Sequence, residues 1–244
     1  MKRNYRIADK TIEIISLYDE VHDYCRDYLT EDDADFSVVI NPDDIEYERK
    51  RSASNDIAEG RSVRDWDDSY LEELAVYRKI AEKMPEYDTF LFHGSVVAVD
   101  GEGYVFTAKS GTGKSTHARL WRELLGSRAV MVNDDKPLIR VNEGGVTVFG
   151  TPYNGKHRLG SNISVSLRSV CIIRRADENC ISRITKSQAY AMLLQQSYRP
   201  SDAAALAKTL HLIDKMADSV ELWQLGCNMD ISAAELAYNT MKGI

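Results

Sequence analysis

Several residue types that mark special classes of protein are scarce in this chain of 244 residues. The four cysteines are Cys25, Cys171, Cys180 and Cys227, and no two of them have CxxC spacing. They are too sparse for a disulfide scaffold, so we interpret them as reduced core thiols. Internal repeats and low-complexity tracts are also absent.

Long apolar runs are missing as well. The longest lies between Asp88 and Asp100, spans 11 residues and includes His93 and Gly94. A membrane-spanning helix needs about 20 residues. No apolar stretch follows the basic N-terminus, so we expect no signal peptide. Together with the cysteine usage, these features predict a cytoplasmic protein with no membrane partner.

An excess of positive charge is likewise absent, since 31 Lys and Arg stand against 38 Asp and Glu and the net charge is −7. Such a chain repels nucleic-acid phosphates on average, so we expect no nucleic-acid partner. Hydrophobic residues make up 43% and charged residues 28% of the chain. This mixture is typical of a globular protein with a sizeable core and excludes general disorder.

Residues 1–88 differ in pattern from the rest and predict a small α+β domain. Its predicted parts are strands at Thr11–Ile15 and Phe36–Ile40, a charged surface meander over 41–67 and an amphipathic helix over Ser69–Met84. That helix should stop near Pro85. Its pattern fits packing on the core and a dimer interface equally, so a homo-oligomer stays open.

Residues 89–244 predict strands and hairpins followed by a mostly helical C-terminal part, and the fold class is therefore α/β. The predicted strands are Ser95–Asp100, Tyr104–Ala108, Ala129–Val132, Leu138–Val141, Val146–Phe149, Ser169–Ile173 and Val220–Leu225. The predicted helices are Gly113–Leu125, Lys186–Gln196, Ser201–Ala217 and one that starts at Ser232 with Glu235 completing a capping box.

The strongest motif is Ala108-Lys-Ser-Gly-Thr-Gly-Lys-Ser, which fits the phosphate-loop pattern G-x-x-x-x-G-K-[ST] with alanine in the first position. Glycines let backbone N–H groups surround phosphate oxygens, and the following helix adds its positive N-terminal dipole. We therefore predict that ATP is bound by Ser110, Gly111, Thr112, Gly113, Lys114, Ser115 and Thr116. The alternative is a Gly/Ser-rich turn with an exposed lysine.

Asp134 and Asp135 follow an apolar strand, where a phosphate-loop enzyme needs a carboxylate on the metal side. One carboxylate suffices for the metal, so an adjacent pair suggests that the other accepts a proton from an attacking hydroxyl. The alternative is a simple turn before Pro137, where Asp is common.

His93-Gly94-Ser95, the hairpin after it, the Ser110–Thr116 loop and Asn133-Asp134-Asp135 together resemble the catalytic domain of HPr kinase/phosphorylase. They also resemble the nucleotide site of the related ATP-dependent phosphoenolpyruvate carboxykinases. The resemblance covers roughly residues 89–175. It implies a carboxykinase-like phosphate-loop kinase core with a mixed sheet and antiparallel hairpins over residues 89–244.

The resemblance also implies roles for single residues. Lys114 would clamp phosphate and Ser115 would be a Mg²⁺ ligand. Asp134 would be the general base and Asp135 a metal ligand, although the two assignments can be exchanged. His93 would lie near the transferred phosphate or beside the Asp pair, the alternative being a buried structural histidine.

The chain departs from those families after the Asp pair. The Glu-Ile-Arg-Gly-type signature of HPr kinases is replaced by the stretch from Gly150 to Gly160. Lys156, His157 and Arg158 in this stretch suit an anionic phosphate or a substrate carboxylate, and the alternative is a solvated loop. Arg174 and Arg175 follow a strand, where they would reach a γ-phosphate or simply lie on the surface.

These features predict an ATP- and Mg²⁺-dependent kinase. The γ-phosphate would pass to a hydroxyl, such as a serine of a peptide or protein or a small alcohol. HPr as substrate and phosphorylase activity are not implied, because the signature is absent. The alternatives are a regulatory or scaffold protein that binds ATP without transfer, and a plain NTPase.

Overall fold

The computed structural model describes residues 1–155 and 158–243, and backbone contacts divide it into two units, Met1–Glu82 and Lys83–Ile244. The division expected from the sequence, between residues 88 and 89, lies a few residues further along the chain. Both units combine helices with a mixed sheet, so the protein is a mixed α/β protein. No helix in the described ranges is long and apolar enough to span a membrane.

The first unit is built on a four-stranded sheet of order β3-β1-β2-β4. Its elements are β1 (Lys2–Ile7), β2 (Lys10–Ile15), α1 (Glu20–Tyr24), β3 (Leu29–Thr30), β4 (Phe36–Val39), α2 (Pro42–Ala58) and α3 (Asp68–Lys83). β1 and β2 are antiparallel, whereas β4 runs parallel to β2. The strands predicted at Thr11–Ile15 and Phe36–Ile40 and the helix at Ser69–Met84 are therefore present, within one or two residues at each end.

The surface meander predicted for residues 41–67 is wrong, because most of this segment is helix α2. Asn41 caps the helix by accepting from the Asp44 N–H, and the Asp44 carboxylate accepts from the Asn41 N–H in return. Buried Asp56 accepts hydrogen bonds from Arg61 and Arg64. The charges that suggested a solvated loop are thus satisfied by the helix and by the segment that follows it.

The second unit has a nine-stranded sheet with the path β5-β9-β10-β11-β7-β6-β8, while β13 pairs with β11 and β12 pairs with β13. The strands are β5 (Thr89–Leu91), β6 (Ser95–Val99), β7 (Glu102–Thr107), β8 (Ala129–Asn133), β9 (Leu138–Asn142), β10 (Gly145–Phe149), β11 (Ser164–Arg175), β12 (Cys180–Arg183) and β13 (Glu221–Cys227). The helices are α4 (Lys114–Leu125), α5 (Lys186–Gln196), α6 (Ala203–Ser219) and α7 (Ile231–Met241).

Strand β11 connects the two parts of this sheet. On one side it pairs with β7 in parallel. On the other side its first residues pair with β10 and its later residues pair with β13, again in parallel. The carboxyl ends of β7, β11 and β13 therefore meet at one edge of the sheet.

Helices cover both faces of the central strands. Val170 and Ile172 pack in one cluster with α5 and α6, for example against Leu193 and Met216. Cys171 and Ile173 point into the opposite cluster, which is built with α4 and α7. This alternation makes the unit a three-layer arrangement, and it explains why the central strands are apolar on consecutive residues.

The strands and helices predicted for this unit are present, strands β5 and β12 were not predicted, and two predicted details differ. β11 begins at Ser164, five residues before its predicted start, because its first residues extend the sheet beside β10. Helix α7 is capped by Asp230, which accepts from the Ser232 N–H, so the predicted capping box at Ser232 is wrong. Trp121 is fully buried, whereas Trp223 is only partly buried.

Replacing exposed Ser54 in α2 by proline should lower the free energy of unfolding by about 3 kcal/mol, because proline removes a helix hydrogen bond and clashes with the preceding turn. Ser54→Ala is the matched control and should change stability by less than about 0.5 kcal/mol. Urea unfolding followed by far-UV circular dichroism measures both values. Equal stability of the two variants would mean that residues 42–58 are not helical.

Candidate functional site

The residues singled out from the sequence gather at one edge of the large sheet. β6 is antiparallel to both β7 and β8, so β7 and β8 run in the same direction. The loop after β7 and the Asp134-Asp135 turn after β8 therefore leave the sheet at the same edge. His93 and Gly94 enter β6 there, where the Gly94 N–H donates to the Asp135 carbonyl at 3.0 Å.

The phosphate loop has the backbone that its glycines permit. Gly111 has a φ of +75° and Gly113 a φ of +127°, in the left-handed range that other residues rarely adopt. An added Cβ at either position would meet nothing within 4 Å, so these glycines are needed for conformation and not for space. Helix α4 starts directly after Gly113, which gives the loop the free N–H groups of a helix N-terminus.

Lys114 lies inside this loop and is largely buried. Its Nζ donates to the Ala108 carbonyl at 3.1 Å. Burial lowers the pKa of Lys114, and the nearby Asp135 carboxylate opposes that shift. The ammonium is thus held on loop backbone, in a position where a phosphate oxygen would be a stronger partner than a carbonyl.

Asn133 fixes the turn that carries the two aspartates. Its fully buried side chain accepts from the N–H groups of Asp135 at 2.9 Å and Lys136 at 2.6 Å. Its Nδ2 donates to the Thr151 hydroxyl at 3.0 Å. Val132 is an extra residue in the pairing with β6, since Val97 pairs with Met131 and Val96 with Asn133. This bulge lies directly before the end of β8, where the chain leaves the sheet and continues into the two aspartates.

Asp134 is buried and faces the loop that follows β10. Its Oδ1 accepts from the Gly155 N–H at 2.5 Å, and its carbonyl accepts from the Ser95 hydroxyl at 3.1 Å. An added Cβ on Gly155 would lie 3.0 Å from Asp134 Oδ2. The absence of a side chain at residue 155 therefore allows the backbone to approach this carboxylate closely.

His93 Nε2 lies 3.1 Å from Asp135 Oδ1, and Lys136 Nζ lies 3.3 Å from Asp135 Oδ2. Burial alone would raise the pKa of Asp135, but the hydrogen bond from His93 and the charge of Lys136 lower it below its usual value. The Asp135 carboxylate therefore stays ionised. Asp134 accepts from a backbone N–H, whereas Asp135 lies beside the His93 imidazole and the Lys136 ammonium.

A cleft of about 700 Å³ opens beside the phosphate loop and Asp134, and we call it the Asp134 cleft. It is lined by Gly111, Gly113, Lys114, Ser115, Thr116, Arg119, Arg122, Met131, Asp134, Gly155 and Leu159. The phosphate-loop lysine, the Ser115 hydroxyl and a carboxylate thus share one open space. This combination suits a phosphoryl group and a metal ion.

A second cleft of about 580 Å³, the Arg175 cleft, also opens at the loop and shares Gly111, Gly113 and Thr116 with the Asp134 cleft. It is lined by Gly111, Thr112, Gly113, Thr116, His117, Leu120, Ile173, Arg175, Ala176, Asp177, Cys227, Asn228 and Met229. Arg175 donates to the carbonyls of Gly111 at 2.6 Å and Thr112 at 3.4 Å. Arg175 therefore supports the phosphate loop, where the sequence left a γ-phosphate contact and a surface position open.

His117 contributes a buried polar group to the Arg175 cleft. Burial lowers its pKa to about 4, so the imidazole is neutral at pH 7. Trp121 Nε1 donates to His117 Nε2 at 3.1 Å, which leaves the proton on Nδ1. His117 Nδ1 has no hydrogen-bond partner among the described residues.

The structure brings together the phosphate loop, His93, Asp134 and Asp135. Lys156 and His157 lie outside the described residues, and Arg158 has a positive φ of +48° and donates its N–H to the Gly155 carbonyl. The sequence reading assigned no role to Asn133, Thr151 or Gly155. The position of Asn133 directly before the Asp pair could have indicated its role from the sequence. Its contact with Thr151 could not have been predicted, because that contact depends on tertiary structure.

Replacing His93 by alanine should raise the pKa of Asp135, because burial then acts without the opposing hydrogen bond. A lowered native pKa stabilises the fold above the carboxyl's unfolded pKa of about 4, and this stabilisation is lost as the pH falls through the native pKa. His93→Ala should therefore reduce stability at neutral pH. Carboxyl NMR titration measures the shift, with Asp135→Asn to assign the signal, and an unchanged pKa would contradict the assigned contact.

The chain is similar to one family model and, distantly, to solved structures. None of the curated proteins compared with the chain matches it. The structure of the Hpr(Ser) kinase/phosphatase from Coxiella burnetii matches with a TM-score of 0.33 and 9% identity, over 63% of this chain and 99% of that chain. A likeness this low carries no argument for a shared fold or activity.

The family model described as SynChlorMet cassette protein ScmC matches residues 58–229. The match includes the phosphate loop, the Asp pair and strands β5 to β13, which is more than half of the chain. The chain therefore belongs to the SynChlorMet cassette protein ScmC family.

Proposed function

We propose that this protein is a kinase that transfers the γ-phosphate of ATP to a hydroxyl group. The observation that carries the proposal is the shared Asp134 cleft, in which a phosphate-loop lysine and hydroxyl face a buried carboxylate. Phosphoryl transfer needs positioning and charge stabilisation more than covalent chemistry, and these groups supply both. The acceptor is a serine of a peptide or protein or a small alcohol, and the reaction is proposed to occur in the cytoplasm.

In this proposal each of the two clefts binds a different substrate. The carboxylate that acts on the acceptor lines only the Asp134 cleft, so the acceptor occupies that side of the loop. The nucleoside of ATP then occupies the Arg175 cleft, where Leu120, Ile173 and Met229 offer apolar surface. The triphosphate follows the loop N–H groups between the two clefts. Thr116 lines both clefts and lies where the phosphate chain would cross.

The protein offers oxygen ligands for Mg²⁺, but they would fill only part of the coordination shell of the ion. Among the described residues there is no group of three or more His, Cys, Asp or Glu side chains that would hold a metal ion. Mg²⁺ with ATP commonly takes one or two protein oxygens and completes its shell with phosphate and water. Ser115 and one carboxylate of the Asp pair fit that pattern. A bound Mg²⁺ would neutralise charge on the phosphates.

The different environments of the two aspartates support distinct roles. Asp135 has a lowered pKa and is held by His93 and Lys136, so it is a poor proton acceptor and suits the metal. Asp134 lines the cleft and suits the general base. The acceptor hydroxyl would give its proton to Asp134 as its oxygen bonds to the γ-phosphorus, and ADP would leave with the electrons of the broken P–O bond.

Replacing Lys114 by alanine should weaken ATP binding roughly a hundredfold and abolish transfer, because a buried charge-assisted contact to phosphate is lost. Isothermal calorimetry with MgATP and transfer from γ-labelled ATP to serine peptides and small alcohols measure both effects. Lys215→Ala in α6, away from the loop, is the control. Normal ATP affinity in Lys114→Ala would contradict the phosphate-loop assignment.

Replacing Asp134 by asparagine should leave ATP binding intact and lower turnover by about two to four orders of magnitude, because the general base is removed. The amide oxygen can still accept from the Gly155 N–H. Asp135→Asn is the matched comparison and should weaken Mg²⁺-dependent ATP binding. Full activity of Asp134→Asn would overturn the base assignment, and ATP binding without any transfer in the unmodified protein would favour a regulatory ATP-binding protein.

A further inference from the structure

Two of the arginines that line the Asp134 cleft, Arg119 and Arg122, have no role in the proposed phosphoryl transfer. Ser115, Arg119 and Arg122 are spaced i, i+4 and i+7 on helix α4, so they form one stripe along the helix. The stripe starts at the phosphate loop. Seven residues of α-helix correspond to a rise of about 10 Å, so Arg122 lies well beyond the transferred phosphate.

The charges of this cleft are unbalanced. Lys114, Arg119 and Arg122 are cationic and line it together with one carboxylate, Asp134. Lys114 is assigned to the phosphates of ATP by the proposed function, so it does not balance Asp134. Among the described residues that line the far end of the cleft, Arg119 and Arg122 are cationic and none is acidic.

The two arginines are not equally available. Arg119 is exposed and forms an ion pair with Glu123 one turn further along α4. Arg122 is partly buried, and no carboxylate of the described residues lies within ion-pair distance of its guanidinium group. A partly buried arginine without an anionic partner at the wall of an open cleft is suited to an anion supplied by a ligand.

We propose that Arg122, assisted by Arg119, binds an anionic group of the phosphate acceptor, so that the enzyme selects hydroxyl acceptors that carry a carboxylate or a phosphate. The inference rests on the proposed function, which assigns the acceptor to this cleft. The distance along α4 separates the anionic group from the reacting hydroxyl. This favours an extended acceptor such as a peptide over a single small alcohol.

The test uses the full chain loaded with Mg²⁺ and a non-hydrolysable ATP analogue. Three fluorescently labelled serine peptides with blocked ends are compared: Asp-Gly-Ser-Gly-Asp, its isostere Asn-Gly-Ser-Gly-Asn, and the same sequence with phosphoserine at the outer positions. Binding is followed by fluorescence anisotropy. Transfer from γ-labelled ATP to the central serine is measured in parallel.

We expect the acidic peptides to bind roughly tenfold or more tightly than the neutral isostere, with the difference falling as salt is raised. Arg122→Met should abolish this preference and leave affinity for the ATP analogue unchanged, whereas Arg122→Lys should retain part of it. Arg183→Met on β12 is the control and should behave like the unmodified protein. Comparison of the aspartate peptide with the phosphoserine peptide identifies which anion is preferred.

Equal binding of the acidic and neutral peptides, or binding of neither, would overturn the inference. A preference that survives in Arg122→Met would also overturn it, since the anion would then be bound elsewhere. Loss of affinity for the ATP analogue in Arg122→Met would reassign this arginine to the nucleotide. If the unmodified protein does not bind the analogue at all, the proposed function itself fails and this inference fails with it.

Discussion

The antiparallel pairing of β6 with both β7 and β8 is the constraint on which the candidate site depends. It makes β7 and β8 parallel without pairing them, so a phosphate loop and a carboxylate turn leave the sheet at one edge. The N-terminal end of β6 lies at that edge too and brings His93 to Asp135. Groups that are 21 residues apart in sequence, Lys114 and Asp135, thereby come close enough for the carboxylate to affect the lysine pKa.

Neutral hydrogen-bonding side chains hold the turn that carries the two aspartates. Asn133 binds the backbone of the Asp turn and is itself bound to Thr151, and the Thr151 hydroxyl donates to the Lys136 carbonyl at 2.8 Å. A buried amide with all these partners adopts one orientation. The conformation of the turn is therefore fixed by the protein's own hydrogen bonds. Preorganised groups of this kind lower a reaction barrier because they need not reorient as charge develops.

The local parts of the site were predictable from the sequence, and the tertiary parts were not. The phosphate loop is a local motif, since its glycine conformations and the helix after it follow from neighbouring residues. The position of Asp134 and Asp135 after an apolar strand could also be predicted from the sequence. Helix α2 was missed because its charged residues look solvated, and the buried partners of Asp56 become visible only once the chain is folded. The support of the loop by Arg175 depends on the parallel pairing of β7 with β11, which no local pattern encodes.

The two clefts that open at the phosphate loop are lined by different residues, so the two ends of the site are not equivalent. Parallel strands β7, β11 and β13 end around the Arg175 cleft, where apolar side chains meet His117 and Asn228. The Asp134 cleft instead runs along α4 past a serine and two arginines. A phosphate chain bound along the loop would therefore meet a different set of side chains at each end. The proposed function uses this difference: the acceptor belongs on the side of Asp134, the carboxylate that would take its proton, and the nucleoside belongs on the side that this carboxylate does not line.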